Sequence, residues 1–169
     1  SGLKTSHTLK PDFSWGCSNI DKLISKYNLS DYILLFPFCS EHLEQKKWPY
    51  YDQLIKMIKQ NHPNLKIVIA PGPSEIEKAK KFDAVSILKE DKAISISELA
   101  GLIKKSRFVV SNDTGPAHMA AHMNVKGLSL FGSHTTAYKV SIERENFKVI
   151  QVSDLKNLSA EKVFERLVF

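Results

Sequence analysis

Six short apolar runs punctuate the chain, each bounded by polar or turn-forming residues. The first, YILLFPF (32–38), is continuous rather than alternating, as expected of a strand covered on both faces. LKIVIA (65–70), DAVSIL (83–88), RFVVSN (107–112), GLSLFG (127–132) and FKVIQV (147–152) supply five more strands. Between them lie segments with helical spacing. In WPYYDQLIKMIKQN, Leu54, Ile55 and Ile58 share one face, and Pro49 suits a first helical turn. Ser74 with Glu77, and Ser95 with Glu98, have capping-box spacing ahead of two further helices. PAHMAAHM follows the fourth strand, SAEKVFERL closes the chain behind Ser159, and NIDKLISKYN reads as a helix near the start. Strands and helices that alternate with short connections imply crossovers, and hence an α/β fold: a Rossmann-like, doubly wound, mainly parallel sheet.

In such sheets ligands bind beyond the carboxyl ends of the strands, which directs attention to three loops: CSEHLEQKK, PGPSE and NDTGPAH. In the last, Gly115 permits close approach of a ligand, and Pro116 leaves the amides of Ala117 and His118 free to point outward. A helix N-terminus of this kind suits a phosphate. The alternative is that Asp113 or Thr114 simply caps the helix. His118 and His122 stand one turn apart, but HMAAH lacks the Glu of the zinc-protease motif, so no metal is expected. Trp48, Tyr50 and Tyr51 are read as packing for the helix that follows the first strand, ahead of any role in stacking a base.

Composition narrows the class. A chain of 169 residues with 43% hydrophobic and 25% charged positions is expected to form one well-cored domain. Its boundaries are placed at 31–169, with 1–30 as a linker or interdomain crossover. Cys17 and Cys39 make no disulfide framework, and no apolar run approaches the roughly 20 residues of a membrane span, so a reduced, cytoplasmic protein is expected. The start, SGLKTSHTLKPDFSWG, has neither an initiator Met nor an apolar signal core, which leaves open that upstream sequence is missing. The net charge of +6 favours anionic partners, but the lysines are spread over helix ends, so no nucleic acid partner is expected. Neither G-x-G-x-x-G nor G-x-x-x-x-G-K-[ST] occurs, which disfavours ordinary NAD enzymes and P-loop NTPases.

The run FVVSNDTGPAHMAAHMNVKGLSLFG closely resembles the hallmark segment of the family 9 glycosyltransferases, the ADP-heptose:lipopolysaccharide heptosyltransferases, in which D-T-G-x-x-H precedes an apolar helix and strand. QKKWP resembles that family's basic residue ahead of Trp-Pro, and PGPSE its glycine- and proline-containing turn ending in Glu. The three elements occur in the family's order between residue 32 and about residue 135. The resemblance implies one half of a GT-B architecture, the donor-binding half. The N-terminal acceptor-binding domain would then be missing and would carry the acceptor base, so no catalytic residue is assigned in this chain. The implied reaction transfers a heptose-like sugar from a nucleotide diphosphate to a lipopolysaccharide core acceptor at the inner membrane surface, where peripheral association is left open. No cofactor is implied. By itself the chain is expected to bind donor and turn over little or nothing. The rival reading is a non-catalytic nucleotide or nucleotide-sugar binding module acting with a partner chain.

Carried over onto matching positions, the resemblance gives Lys46, with Lys47 as alternate, the role of neutralising the donor diphosphate. Glu75 would grip the ribose, although an acid in a first helical turn is favoured in any case. The amides of Thr114 and Gly115 would hold the diphosphate, and Asp113 would face sugar hydroxyls or brace the loop. His118 is either a donor contact or a packed, hydrogen-bonded histidine. Ile94 and Ile96 are assigned to an adenine wall, and Ser40 joins the site from the loop after the first strand. Two features depart from the family pattern. Glu41 and Glu44 must point away, pair with Lys46 or Lys47, or weaken binding, and FGSHTTAY replaces a Gly-Pro-Thr-like turn, so Ser133, His134, Thr135 and Thr136 leave the donor sugar open.

Overall fold

A computed structural model describes residues 12–40 and 42–168. The chain runs α1 (Asp21–Tyr27), β1 (Tyr32–Phe36), α2 (Tyr51–Asn61), β2 (Lys66–Ile69), α3 (Ile76–Ala79), β3 (Val85–Ser86), β4 (Leu88–Lys89), β5 (Lys92–Ala93) and α4 (Ile96–Lys105). It continues through β6 (Phe108–Asn112), α5 (Gly115–His122), β7 (Gly127–Phe131), α6 (Ala137–Val140), β8 (Phe147–Gln151) and α7 (Ala160–Phe164). Six strands form one sheet in the order β3-β2-β1-β6-β7-β8, with every pairing parallel.

The continuous apolar runs follow from this layering. Successive side chains of a strand point to opposite faces, so Ile33 and Leu35 meet one core and Leu34 and Phe36 the other. The first core is closed by Leu54, Ile55 and Ile58 of α2 and Val163 of α7. The second is closed by Leu23 of α1, Leu102 and Ile103 of α4, and Ala117, Ala120 and Ala121 of α5. Strand order reverses between β1 and β6, whose connections leave toward opposite faces through α2 and α5. That divergence opens a crevice at their carboxyl ends, the position where doubly wound sheets bind ligands.

Local signals held in some places and failed in others. Ser95 caps α4 reciprocally with Glu98: its side chain accepts from the Glu98 amide, and the Glu98 carboxylate accepts from the Ser95 amide at 2.9 Å. The Ser74–Glu77 box does not form. Pro73 fixes its own backbone and starts a 3-10 turn (Pro73–Glu75) one step earlier. Glu75 then reaches back to the Gly72 amide at 2.8 Å, while Glu77 pairs with Lys80. Pro49 precedes α2 rather than entering it, with Tyr50 at the cap. The expected strand at 83–88 also breaks: only Val85–Ser86 joins the sheet, and Leu88–Lys89 turns back antiparallel onto Lys92–Ala93. Glu90 and Asp91 at the tip have φ of 50° and 60°. Such turns favour Asn-Gly, so this one leaves no ordinary trace in the sequence.

Residues 1–11 of the 1–30 segment lie outside the described structure, while Ile20, Leu23 and Leu29 are buried in the second core. No helix among the described residues is long and apolar enough to cross a membrane.

Gly127, at the start of β7, is a packing requirement. A Cβ there would stand 2.6 Å from the Phe147 ring and 2.9 Å from the Val109 carbonyl. Phe147 is fully buried and cannot swing away. Gly127→Ala is therefore expected to cost about 2 kcal/mol, the overpacking range, in urea unfolding. An unchanged midpoint would contradict this packing.

Candidate functional site

Polar residues are buried together where β6 ends: Ser111, Asn112, Asp113, and Ser129 from the neighbouring β7. Burying polar groups is unfavourable unless they are bonded, and these are. The Asn112 carbonyl accepts from the hydroxyls of Ser111 (2.7 Å), Ser129 (3.4 Å) and Thr114 (3.4 Å). The Asn112 side chain donates to the Pro37 carbonyl (3.1 Å) and accepts from the Trp48 amide (3.3 Å) and the Tyr51 hydroxyl (3.4 Å). One side chain thus ties the end of β6 to the exit of β1 and the start of α2.

Asp113 follows, with its side chain 4% exposed. Lys46 Nζ lies 2.7 Å from Oδ2, His134 Nε2 lies 2.9 Å from the same oxygen, and His118 Nε2 lies 3.5 Å from Oδ1. Burial pushes this carboxyl up, but hydrogen bonds from His118, Lys46 and His134 and the Lys46 charge outweigh it, holding Asp113 well below the usual carboxylate range. An ionised carboxylate only accepts, so His134 carries its proton on Nε2. The Asp113 carboxylate is therefore satisfied by side chains, and the amides of the turn that follows it are not needed for it.

That turn lines a cleft of about 650 Å³. It is lined by Lys46, Asp113, Thr114 and Gly115 from one set of loops and by Gly72 and Glu75 from the loop after β2. The loops after β2 and β6 flank β1, about 10 Å apart by strand spacing, and Lys46, on the loop after β1 itself, reaches across to Asp113 on the β6 side. Thr114 is the N-cap of α5 but makes no side-chain cap bond. Its hydroxyl goes to the Asn112 carbonyl instead, so simple capping does not account for the D-T-G turn. The amides of Ala117 and His118 are not free as expected: both donate to the Thr114 carbonyl, at 3.0 and 3.3 Å, because the helix closes on its N-cap residue at once. Pro116 has no N–H, so at this helix end it is Thr114 and Gly115 that stand on the cleft. Gly115 is exposed, and a Cβ there would meet nothing within 4 Å. Ile94, Ile96 and Leu99 add apolar lining, with Ile96 78% exposed.

The model of glycosyltransferase family 9 (heptosyltransferase) matches residues 4–167. The chain belongs to glycosyltransferase family 9. A lipopolysaccharide heptosyltransferase 1 of Campylobacter coli is 29% identical over 100 residues, 54% of this chain and 29% of the relative. The fold is shared with E. coli heptosyltransferase WaaC, solved with ADP, at a TM-score of 0.69 and 24% identity over 80% of this chain and 42% of that one. It is also shared with E. coli ADP-heptose LPS heptosyltransferase II, at 0.71 and 18% over 96% and 51%. The chain thus spans about half the length of these solved heptosyltransferases, and its match covers less than a third of the curated relative.

Within this family 9 chain, the structure brings Lys46, Asp113, Thr114, Gly115, Glu75, Ser40, Ile94 and Ile96 to one cleft. Lys47 is exposed and lies off the cleft lining, as does Glu44; Glu41 is outside the described residues. His118 faces Asp113 rather than the cleft and stacks on His122 at 6.4 Å. Trp48 and Tyr51 are core residues at 1% exposure, and Trp48 donates from Nε1 to the Leu158 carbonyl. Two members were not assigned from sequence. Asn112 reads as the polar end of a strand, and His134 lies in a stretch that departs from the family pattern. A run of three polar residues, SND, straight after FVV was the available signal for the first.

Proposed function

We propose that this chain is the donor-binding half of a family 9 glycosyltransferase, taking a nucleoside diphosphate heptose-like sugar for transfer to a lipopolysaccharide core acceptor at the inner membrane surface. The reading is carried by the placement, across β1, of Glu75 on one side and Lys46 with the α5 N-terminus on the other. A carboxylate there can accept both hydroxyls of a ribose, and a cation with amides can hold a diphosphate. The spacing suits a ligand with a diol at one end and two phosphates at the other. Support for the ligand class comes from WaaC, solved with ADP and with ADP-2-deoxy-2-fluoro heptose.

As the glycosidic bond breaks, charge builds on the departing diphosphate. The Lys46 ammonium and the amides of Thr114 and Gly115 stabilise that charge without reorganising. Lys46 has three N–H donors and needs only one for Asp113, so phosphate oxygens can share it. The acceptor base and the acceptor itself would come from an N-terminal domain beyond this chain.

Calorimetric titration with ADP, UDP and ADP-heptose tests the reading. ADP and ADP-heptose are expected to bind. Lys46→Ala should weaken both roughly 10- to 100-fold, the range of a charge-assisted contact. Glu75→Ala should remove discrimination between ADP and its 2′-deoxy form. No binding of any nucleotide by the unsubstituted protein would sink the proposal. Binding that leads to no transfer when an acceptor-binding half is supplied would favour a non-catalytic module instead.

Gly115→Ala separates ligand approach from folding. The added methyl meets nothing in the free protein, and alanine is a better helix former than glycine, so stability should stay within about 0.5 kcal/mol or rise. ADP affinity should nevertheless fall, because the methyl occupies the face a phosphate approaches. Equal ADP affinity in both proteins would place the diphosphate elsewhere.

A further inference from the structure

We propose that His134 is a positioning residue for the donor site: it holds and compensates Asp113 when Lys46 is drawn toward the donor diphosphate. The inference rests on the donor-site reading and adds a residue to it. In the free protein Lys46 and His134 converge on the same oxygen, Oδ2, at 2.7 and 2.9 Å. Their surroundings differ. Lys46 lines the cleft, with its side chain 22% exposed, so it can reach a ligand. His134 is 7% exposed, lies off the cleft lining, and stacks on Phe131 at 5.9 Å with an interplanar angle of 18°. It cannot follow a ligand; it can only stay on Asp113.

A diphosphate that takes a share of the Lys46 charge leaves a buried carboxylate short of compensation. A buried charge without a partner is strongly unfavourable. The groups facing Asp113 are Lys46 from the turn before α2, His118 from α5 and His134 from the loop after β7. Of the two histidines, His134 is closer and more deeply buried, so it is placed to take over. Its Nδ1 is buried and without a partner among the described residues, so the ring acts on the site through Nε2–H alone. As Lys46 is shared with phosphate, Nε2–H of His134 stays on Asp113 Oδ2. The buried carboxylate then keeps a fixed hydrogen-bond donor while Lys46 serves the diphosphate. Gly132 keeps this arrangement open: a Cβ there would stand 3.4 Å from His134 Nδ1 and 3.2 Å from the Gln45 carbonyl of the turn that carries Lys46.

The test has two arms. In the first, without ligand, imidazole N–H resonances are followed by NMR in the unsubstituted protein and in Lys46→Gln, with the His134 signal identified by its loss in His134→Gln. Removing the cation should move the His134 Nε2–H proton downfield, as expected when the carboxylate draws harder on its remaining donor. An unmoved His134 resonance, or a downfield move at His118 instead, would overturn the proposal. In the second arm, ADP is titrated calorimetrically near pH 7. His134→Gln, which keeps an N–H donor for Asp113, should bind ADP about as well as the unsubstituted protein, whereas His134→Phe, which keeps a ring against Phe131 but has no donor, should bind roughly 10-fold more weakly. Full affinity in His134→Phe, or an equal loss in both variants, would refute the role. Failure of the unsubstituted protein to bind ADP would count against the donor-site reading, while the first arm would still decide whether His134 takes over Asp113.

Discussion

Lys46→Met is expected to destabilise the fold by about 2–3 kcal/mol at neutral pH, more than Asp113→Asn does, and the double variant should lose less than the sum. The asymmetry comes from exposure. Losing Lys46 strands a carboxylate that is 4% exposed, whereas losing Asp113 frees a lysine that is 22% exposed and reaches water. Breaking a buried pair from one side typically costs 3–5 kcal/mol, and the two histidines that remain on Asp113 reduce that figure. The pH dependence follows from the sign of the shift. The Asp113 carboxyl is held below its ordinary value in the fold, so the unfolded chain binds its proton more readily. Its contribution is complete above about pH 4–5 and is lost as pH falls further. Without Lys46 the carboxyl is easier to protonate, so the gap between the two proteins should narrow below pH 4. Urea unfolding at pH 7 and pH 3.5 measures this directly. A gap that stays constant or widens on acidification would show that Lys46 stabilises by packing rather than by pairing.

Asn112→Leu should cost about 3 kcal/mol or more, although the two side chains have similar size. The leucine would leave the Pro37 carbonyl, the Trp48 amide and the Tyr51 hydroxyl without the bonds they make now. Each buried group stripped of its partner costs about 1–3 kcal/mol, and the Tyr51 hydroxyl retains the Phe36 carbonyl at 3.2 Å, which limits the total. The loss should extend to the site. Asn112 fixes the end of β6 relative to the turn that carries Lys46, so ADP affinity should fall in Asn112→Leu even under conditions where the variant stays folded. A stable variant with unaltered ADP binding would show that the loops are held by other contacts.

How much of this was legible beforehand depends on the range of the forces involved. The runs YILLFPF and GLSLFG read as buried strands because a parallel strand covered on both faces must be apolar at every position, and β1 and β7 are buried throughout. Ser95 with Glu98, and Ser159 ahead of α7, read as caps because their bonds reach only three residues along the chain. The break after Ser86 was not legible. DAVSIL is uniformly strand-like, and the chain leaves the sheet through a hairpin whose tip, Glu90–Asp91, carries no glycine or asparagine. For the site, the D-T-G turn, Lys46 and Glu75 were named from motifs that also proved to share a cleft.

The sequence by itself determined the alternation of strands and helices, the family, and which loops carry unusual polar residues. Each of those signals lies within a few positions along the chain, where hydrophobic period, capping and motif spacing act. Only the tertiary structure decided what answers the Asp113 charge. Lys46 lies 67 residues before it and His134 lies 21 after it, and they meet on one carboxylate oxygen because β1, β6 and β7 are neighbours in the sheet. Strand order is a property of the whole packed core, and no local pattern encodes it.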